Sequence, residues 1–275
     1  MSSPSPESMR RPLVMGIVNL TPDSFSDGGR FLVPRRALDH ARRLIAEGAD
    51  ILDLGAESTR PGAAPVSQQT ELERLLPLIE AIRQDSAIAI SVDTMKPAVA
   101  QAAMAAGATI WNDVTALGHD PLSLATAASL GCNVVLMHMR GEPRTMQDDP
   151  RYDDVAAEVE AYLLQRALAA QQAGVAPDRI WLDPGLGFGK TTDHNLALIA
   201  GLPRLASRGY RVLLGASRKR FIAALYPPAV EPADRLAGSL AIALAGARAG
   251  VAVVRAHDVA ATIQALDVDA AIRQV

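Results

Sequence analysis

The sequence is poor in the features that commonly assign a function. It holds one cysteine, Cys132, in 275 residues. That excludes an internal disulfide and reads as a small core residue of a cytoplasmic protein. No uninterrupted apolar run approaches the roughly 18 residues of a membrane span. The alanine-rich stretch from Leu236 to Ala249 is interrupted by Arg and Gly and keeps helical spacing. Positive charge is not in excess: the net charge of -3 gives no reason to expect a nucleic-acid partner. HExxH, CxxC and clustered histidines are missing, which argues against a tightly held zinc ion. So is GxSxG, and Ser24, Ser26, Ser58 and Ser217 fall in loop segments without triad partners. No side chain therefore reads as a covalent nucleophile. The run Asp183-Pro-Gly-Leu-Gly-Phe-Gly-Lys-Thr ends as a P-loop does, but Pro184 stands where the first glycine belongs. Lys190 likewise stands at the last glycine of GxGxxG, so neither an ATP nor an NAD site is read here. The glycines of this run are expected to let backbone pass close to a flat ligand, with Phe188 as an apolar contact.

What is present is a regular alternation. With 49% hydrophobic and 21% charged residues, the chain suits one globular domain. The first dozen residues, MSSPSPESMRRP, are expected to be a disordered tail rather than a signal peptide, which leaves 13–275 as the domain. Candidate strands are Leu13–Leu20, Asp50–Leu54, Ala87–Asp93, Thr109–Asp113, Asn133–His138, Ile180–Asp183, Arg211–Gly215 and Ala252–His257. Helical spacing marks Arg35–Glu47, Glu71–Arg83, Ala98–Ala106, Pro121–Leu130, Val155–Ala173, His194–Arg208 and Val259–Arg273. Gly48, Gly107, Gly131, Gly174, Gly209 and Gly250 each stand just ahead of the next strand, where a left-handed residue ends a helix. Eight strand–helix units favour a single closed (β/α)8 TIM barrel, of the α/β class, over the competing open doubly wound sheet.

The ends of the strands carry the chemistry. The first runs into Asn19 and a loop reading TPDSFSDGG; the second leads to Glu57-Ser58-Thr59-Arg60. The later strands end in Asp93-Thr94, Asn112-Asp113, His138-Met139-Arg140 and Asp183. The seventh leads to Ser217-Arg218-Lys219-Arg220, and the eighth ends in Arg255-Ala256-His257-Asp258. Carboxyl ends of barrel strands converge on one mouth. There Asp93, Asn112, Asp183 and Lys219 suit a planar heterocycle with N–H donors and ring acceptors. Taken singly, each Asp is as readily a helix cap or an ion-pair partner. Arg255 and His257, two apart on a strand, suit a phosphate or pyrophosphate, although His257 also reads as a hydrogen-bonded structural histidine. Asn19 offers a neutral oxygen of the kind a hard Mg²⁺ ion takes beside water and phosphate oxygens.

Together these motifs resemble the dihydropteroate synthase family of the folate pathway, the target of sulfonamides. The matching stretches are MGIVNLTPDSFSDGG, GADILDLGAESTRPGA, SVDT, NDVT, LMHMRGEPRTMQ, DPGLGFGKT, GASRKRF, GSLA and VRAHDV, in the family's order. The resemblance implies a cytoplasmic transferase. It would condense 6-hydroxymethyl-7,8-dihydropterin diphosphate with 4-aminobenzoate to 7,8-dihydropteroate and diphosphate by SN1-like loss of diphosphate. It implies Asp93, Asn112, Asp183 and Lys219 as pterin contacts, with Met137 and Phe188 against the ring and Gly215 and Ser217 as further substrate contacts. Asn19, Thr59, Arg255 and His257 would hold the diphosphate, with Mg²⁺ at Asn19 and Arg60 joining. Phe25 and Pro61 would flank the aminobenzoate, and Asp27 would face the cation. Asp27, Lys219, Arg255 and His257 are the catalytic set so implied. Where many relatives have serine after the lysine of SRK, this chain has Arg220, at the place expected for the aminobenzoate carboxylate. A homodimer through the late helices is also implied, with small-molecule substrates and no nucleic-acid or membrane partner. Two alternatives stay open: a corrinoid-type pterin methyltransferase domain, and a catalytically silent pterin-binding paralogue.

Overall fold

The computed structural model describes residues 11–20, 32–58, 65–141 and 145–274. Eight strands, each paired in parallel with the next, close into a barrel in chain order. They are β1 (Leu13–Asn19), β2 (Ile51–Gly55), β3 (Ala89–Asp93), β4 (Ile110–Asp113), β5 (Asn133–Met137), β6 (Ile180–Asp183), β7 (Arg211–Gly215) and β8 (Val253–Ala256). The helices are α1 (Leu32–Ala46), α2 (Gln68–Asp85), α3 (Pro97–Ala105), α4 (Ser123–Leu130), α5 (Val155–Gln172), α6 (Thr192–Ala200), α7 (Leu202–Ala206), α8 (Arg220–Leu225), α9 (Leu236–Arg248) and α10 (Val259–Ile272).

The core has two parts because a barrel strand is buried on both faces. Between sheet and helices lies one large apolar cluster that includes Val14, Val18, Leu52, Leu54, Val92, Leu136 and Leu214. Inside the barrel, Met15, Ile51, Ile110, Val135, Trp181, Leu213 and Val253 form a separate plug. The plug fills the lower part of the barrel, and polar inward residues occupy the turns of strand above it.

The starts of α2 and α6 lie earlier than periodicity indicated because side-chain caps act there. Ser67 accepts from the Thr70 amide and opens α2; Thr191 forms a capping box with His194 and opens α6. The stretch expected as one helix, His194–Arg208, is two. Gly201 ends α6 and precedes α7, and Pro203, which has no N–H to continue the ladder, lies in the first turn of α7. The six glycines ahead of strands all adopt positive φ, from 58° at Gly131 to 112° at Gly107. Arg11, in the segment read as a tail, pairs with Asp50 at 2.6 Å and with Asp267 at 3.1 Å.

Candidate active site in the barrel mouth

Strand register sets the site. Pairing places Asn19 beside Gly55, Gly55 beside Asp93, and Asp93 beside Asn112. On the other side Met137 lies beside Asp183, and Gly215 beside Arg255. These residues occupy inward positions near the carboxyl ends of the strands, so they form one ring around the mouth. Gly55 and Gly215 contribute no side chain to that ring. A Cβ at Gly55 would meet Asn19 Oδ1 at 3.7 Å and Asp93 Oδ2 at 3.9 Å; one at Gly215 would meet Asp183 Oδ2 at 3.9 Å. Their lack of a side chain leaves the hollow that the neighbouring polar groups surround.

Arg255 lies among carboxylates. Its Nε donates to Asp53 Oδ2 at 2.6 Å and its Nη2 to Asp93 Oδ2 at 3.3 Å. Asp53 is fully buried, and its Oδ1 accepts from Ser91 Oγ at 2.6 Å and from Asn112 Nδ2 at 3.4 Å. Sequence reasoning missed Asp53 and Ser91, because it considered only the last residues of each strand. The signal was there: an aspartate inside the otherwise apolar ILDLG, in phase with inward Ile51, has to be paired inside the barrel. Burial, followed by repulsion from Asp53, pushes the Asp93 carboxyl up to about 7 against the pull of Arg255. Burial also raises Asp183, whose Oδ1 accepts from the Gly185 amide at 2.7 Å.

The loop after β7 divides its cations. Lys219 turns toward the mouth, with Nζ 4.2 Å from the centre of the half-buried Phe188 ring. Burial lowers its pKa to about 8, opposed by the charge of Asp183. Arg218, at φ 59°, turns away and clamps Asp258 through Nε at 3.0 Å and Nη2 at 2.5 Å. Arg220 is exposed at the first position of the six-residue α8. Ser217 Oγ accepts from the His257 amide at 3.1 Å and stands 3.0 Å from His257 Nδ1. Burial, then the nearby guanidinium of Arg255, lowers His257 to about 3, so the ring is neutral at physiological pH. With the Ser217 hydroxyl proton directed to Nδ1, the ring proton lies on Nε2 and is available to an acceptor in the mouth.

The glycine run is packed closely against backbone. A Cβ on Gly185 would fall 1.9 Å from the carbonyl oxygen of His138, and one on Gly189 2.3 Å from that of Arg140. Gly185 and Gly189 let the loop after β6 lie against the backbone after β5. Gly187 faces the Lys219 stem, with its Cβ position 3.3 Å from Cδ. Lys190 is buried and donates to His138 Nδ1 at 3.0 Å, Phe188 O at 3.0 Å and His138 O at 3.3 Å. It therefore braces this loop on the β5 side. Burial pushes its pKa down to about 7 and that of His138 down to about 3.

Phe25, Asp27, Thr59, Arg60 and Pro61 lie outside the described residues. Glu57, at the root of the second loop, is described. Its Oε1 accepts from the Val66 amide at 3.0 Å and its Oε2 from Lys96 Nζ at 2.6 Å. Among the described residues no group of three or more His, Cys, Asp or Glu side chains is placed to hold a metal ion. The ring thus offers carboxylates, an amide and an ammonium for a flat nitrogen heterocycle. Beside them stand a guanidinium, a neutral imidazole and the Asn19 amide for an anionic group.

Comparison with known proteins agrees with this chemistry. The family model described as pterin binding enzyme matches residues 15–257. The chain is 47% identical over 260 residues to the dihydropteroate synthase of Escherichia coli K12, covering 94% of this chain and 91% of that protein. It also resembles the solved dihydropteroate synthase of Xanthomonas albilineans with 4-aminobenzoic acid. There the TM-score is 0.91 at 50% identity, covering 97% of this chain and 95% of that one. A structure of the Xanthomonas albilineans enzyme in complex with 7,8-dihydropteroate aligns with a TM-score of 0.88 at 47% identity, with the same coverage.

Proposed function

The chain belongs to the pterin-binding enzymes and, among them, to the dihydropteroate synthases, and on that premise we propose how this mouth performs the reaction. The enzyme joins 6-hydroxymethyl-7,8-dihydropterin diphosphate to 4-aminobenzoate, releasing 7,8-dihydropteroate and diphosphate. The observation that carries the assignment to this site is that Asp93, Asn112, Asp183 and Lys219, from β3, β4, β6 and the loop after β7, converge on one mouth. The two carboxylates accept from the ring N–H and amino groups, and Asn112 and Lys219 meet the ring acceptors. Met137 and Phe188 cover the ring. Arg255 and the Nε2–H of His257 meet the diphosphate where negative charge develops.

The step proposed is dissociative. The bond from the pterin methylene carbon to the diphosphate oxygen breaks, and its electron pair leaves with diphosphate. The aminobenzoate nitrogen then donates its lone pair to that carbon, and the resulting ammonium loses a proton to solvent. No strong base is required, because the protonated secondary arylamine is acidic. By resemblance, Asp27 faces the cation, Phe25 and Pro61 flank the arylamine ring, and Thr59 and Arg60 join the diphosphate. Gly215 and Ser217 are further substrate contacts, and Arg220 stands at the place expected for the aminobenzoate carboxylate. Magnesium is part of the proposal. Asn19 at the end of β1 supplies a neutral hard oxygen, and a donor set this sparse suits an ion held mainly by water and diphosphate. When bound, the ion supplies charge neutralisation for the leaving group. A homodimer in the cytoplasm completes the reading.

The pterin pocket is tested by titrating the pterin substrate into wild type and Asp183→Ala. Loss of paired, charge-assisted hydrogen bonds predicts binding weaker by about 2–3 kcal/mol. Equal affinity in the two proteins would remove Asp183 from the pocket.

A further inference from the structure

Arg255 is shared by two carboxylates in this mouth, and it is shared unequally. The bond to Asp53 is 2.6 Å and the bond to Asp93 is 3.3 Å. Asp53 is held for this purpose from its other side, by the Ser91 hydroxyl at 2.6 Å and, more loosely, by Asn112. It is fully buried beneath the ring, whereas Asp93 keeps 14% of its side chain exposed toward the hollow. An Arg fork pairs best with one carboxylate through two parallel bonds. With Nε held by Asp53, the guanidinium reaches Asp93 through one long Nη2 contact rather than a paired fork.

We propose that Asp53 is a positioning residue: by anchoring Arg255 Nε below the mouth, it holds the guanidinium off Asp93 and keeps that carboxylate free to accept hydrogen bonds from the pterin. The inference rests on the reading of Asp93 as a pterin contact. Asp53 itself need not touch substrate; it acts through Arg255. Without its charge, Arg255 closes on Asp93 and competes with the heterocycle for the same oxygens.

The groups that bear on Asp93 are Asp53 on β2, Arg255 on β8, Asp113 on β4, Glu71 on α2 and Lys219 after β7. Burial, then the Asp53 charge, pushes the Asp93 carboxyl up to about 7. Removing the Asp53 charge takes away a repulsion, and closure of Arg255 adds an attraction. Both changes lower the Asp93 pKa, so the sign of the shift is fixed.

The test uses 6-hydroxymethylpterin, which lacks the diphosphate and so does not recruit Arg255 itself. Its affinity is measured from pH 5.5 to 8.5 for wild type and Asp53→Asn, with the melting temperature of each. Wild-type affinity rises as pH passes about 7. In Asp53→Asn the affinity at pH 8 falls about tenfold, and the rise moves to lower pH. If Asp53→Asn does not fold, Ser91→Ala, which removes a donor to Asp53, gives a smaller change in the same two directions. An unchanged affinity and profile overturns the inference. So does a uniform loss across the pH range that follows a lowered melting temperature, which marks a structural role. Failure of the wild type to bind the pterin at any pH would instead overturn the functional reading beneath it.

Discussion

At the scale of single residues, the same backbone conformation has very different consequences in different surroundings. Gly185 and Gly209 both have positive φ, 65° and 83°. A Cβ at Gly209 meets nothing within 4 Å, whereas one at Gly185 falls on the His138 carbonyl at 1.9 Å. Gly209→Ala therefore incurs left-handed strain alone, about 1 kcal/mol. Gly185→Ala incurs the strain and a backbone clash, and should cost roughly 3 kcal/mol or more. Because Gly185 also donates its amide to Asp183, that variant should lose pterin affinity as well. Chemical denaturation of the two variants checks the difference; equal losses would contradict the packing described for the glycine run. The glycines themselves were legible in the sequence, but their partner was not. The colliding oxygen belongs to the segment after β5, and only the parallel pairing of β5 with β6 brings it there. Asp53 was hidden for a related reason: its role needs Arg255, 202 residues away, as a partner. Asn19, Asp93, Asn112 and Asp183 were legible because strand ends in a barrel converge whatever the details of packing.

At the scale of elements, Glu57, just after β2, joins a largely buried ionic cluster. Lys96, just before α3, pairs with Glu57 at 2.6 Å and with Glu71 of α2, which is fully buried and also accepts from Thr94 Oγ1 at 2.8 Å. Burial raises the Glu71 carboxyl above its ordinary value despite the hydrogen bond from Lys96. Removal of the lysine leaves that carboxyl without its cation. Lys96→Met should therefore lose about 3–5 kcal/mol of stability at neutral pH, as expected when one partner of a buried pair is removed. The loss should shrink as pH falls, because protonation of Glu71 relieves the unpaired charge. A loss below about 1 kcal/mol in urea unfolding at pH 7 would show that the cluster is not effectively buried. The sequence displayed these elements well where apolar periodicity was strong, as in β6 and β7. It failed at α6 and α7, where periodicity runs straight through Gly201 and Pro203 while the backbone ladder does not.

At the scale of the whole molecule, the barrel separates stability from chemistry. The apolar plug around Met15, Trp181 and Leu213 closes the lower interior. The polar ring stands above it on the same strands, so the rigidity of the sheet is passed directly to Asp93, Asn112, Asp183 and Arg255. The barrel was legible from the count of strand–helix units, and the site from the order of its motifs. Phe25, Asp27, Thr59, Arg60 and Pro61, which the family resemblance places over the mouth, lie outside the described residues. The most direct test of the account is a turnover measurement on the purified chain with 6-hydroxymethyl-7,8-dihydropterin diphosphate, 4-aminobenzoate and Mg²⁺. The account predicts that 7,8-dihydropteroate and diphosphate form in equal amounts. Absence of dihydropteroate from a folded protein, with or without release of diphosphate, would contradict it.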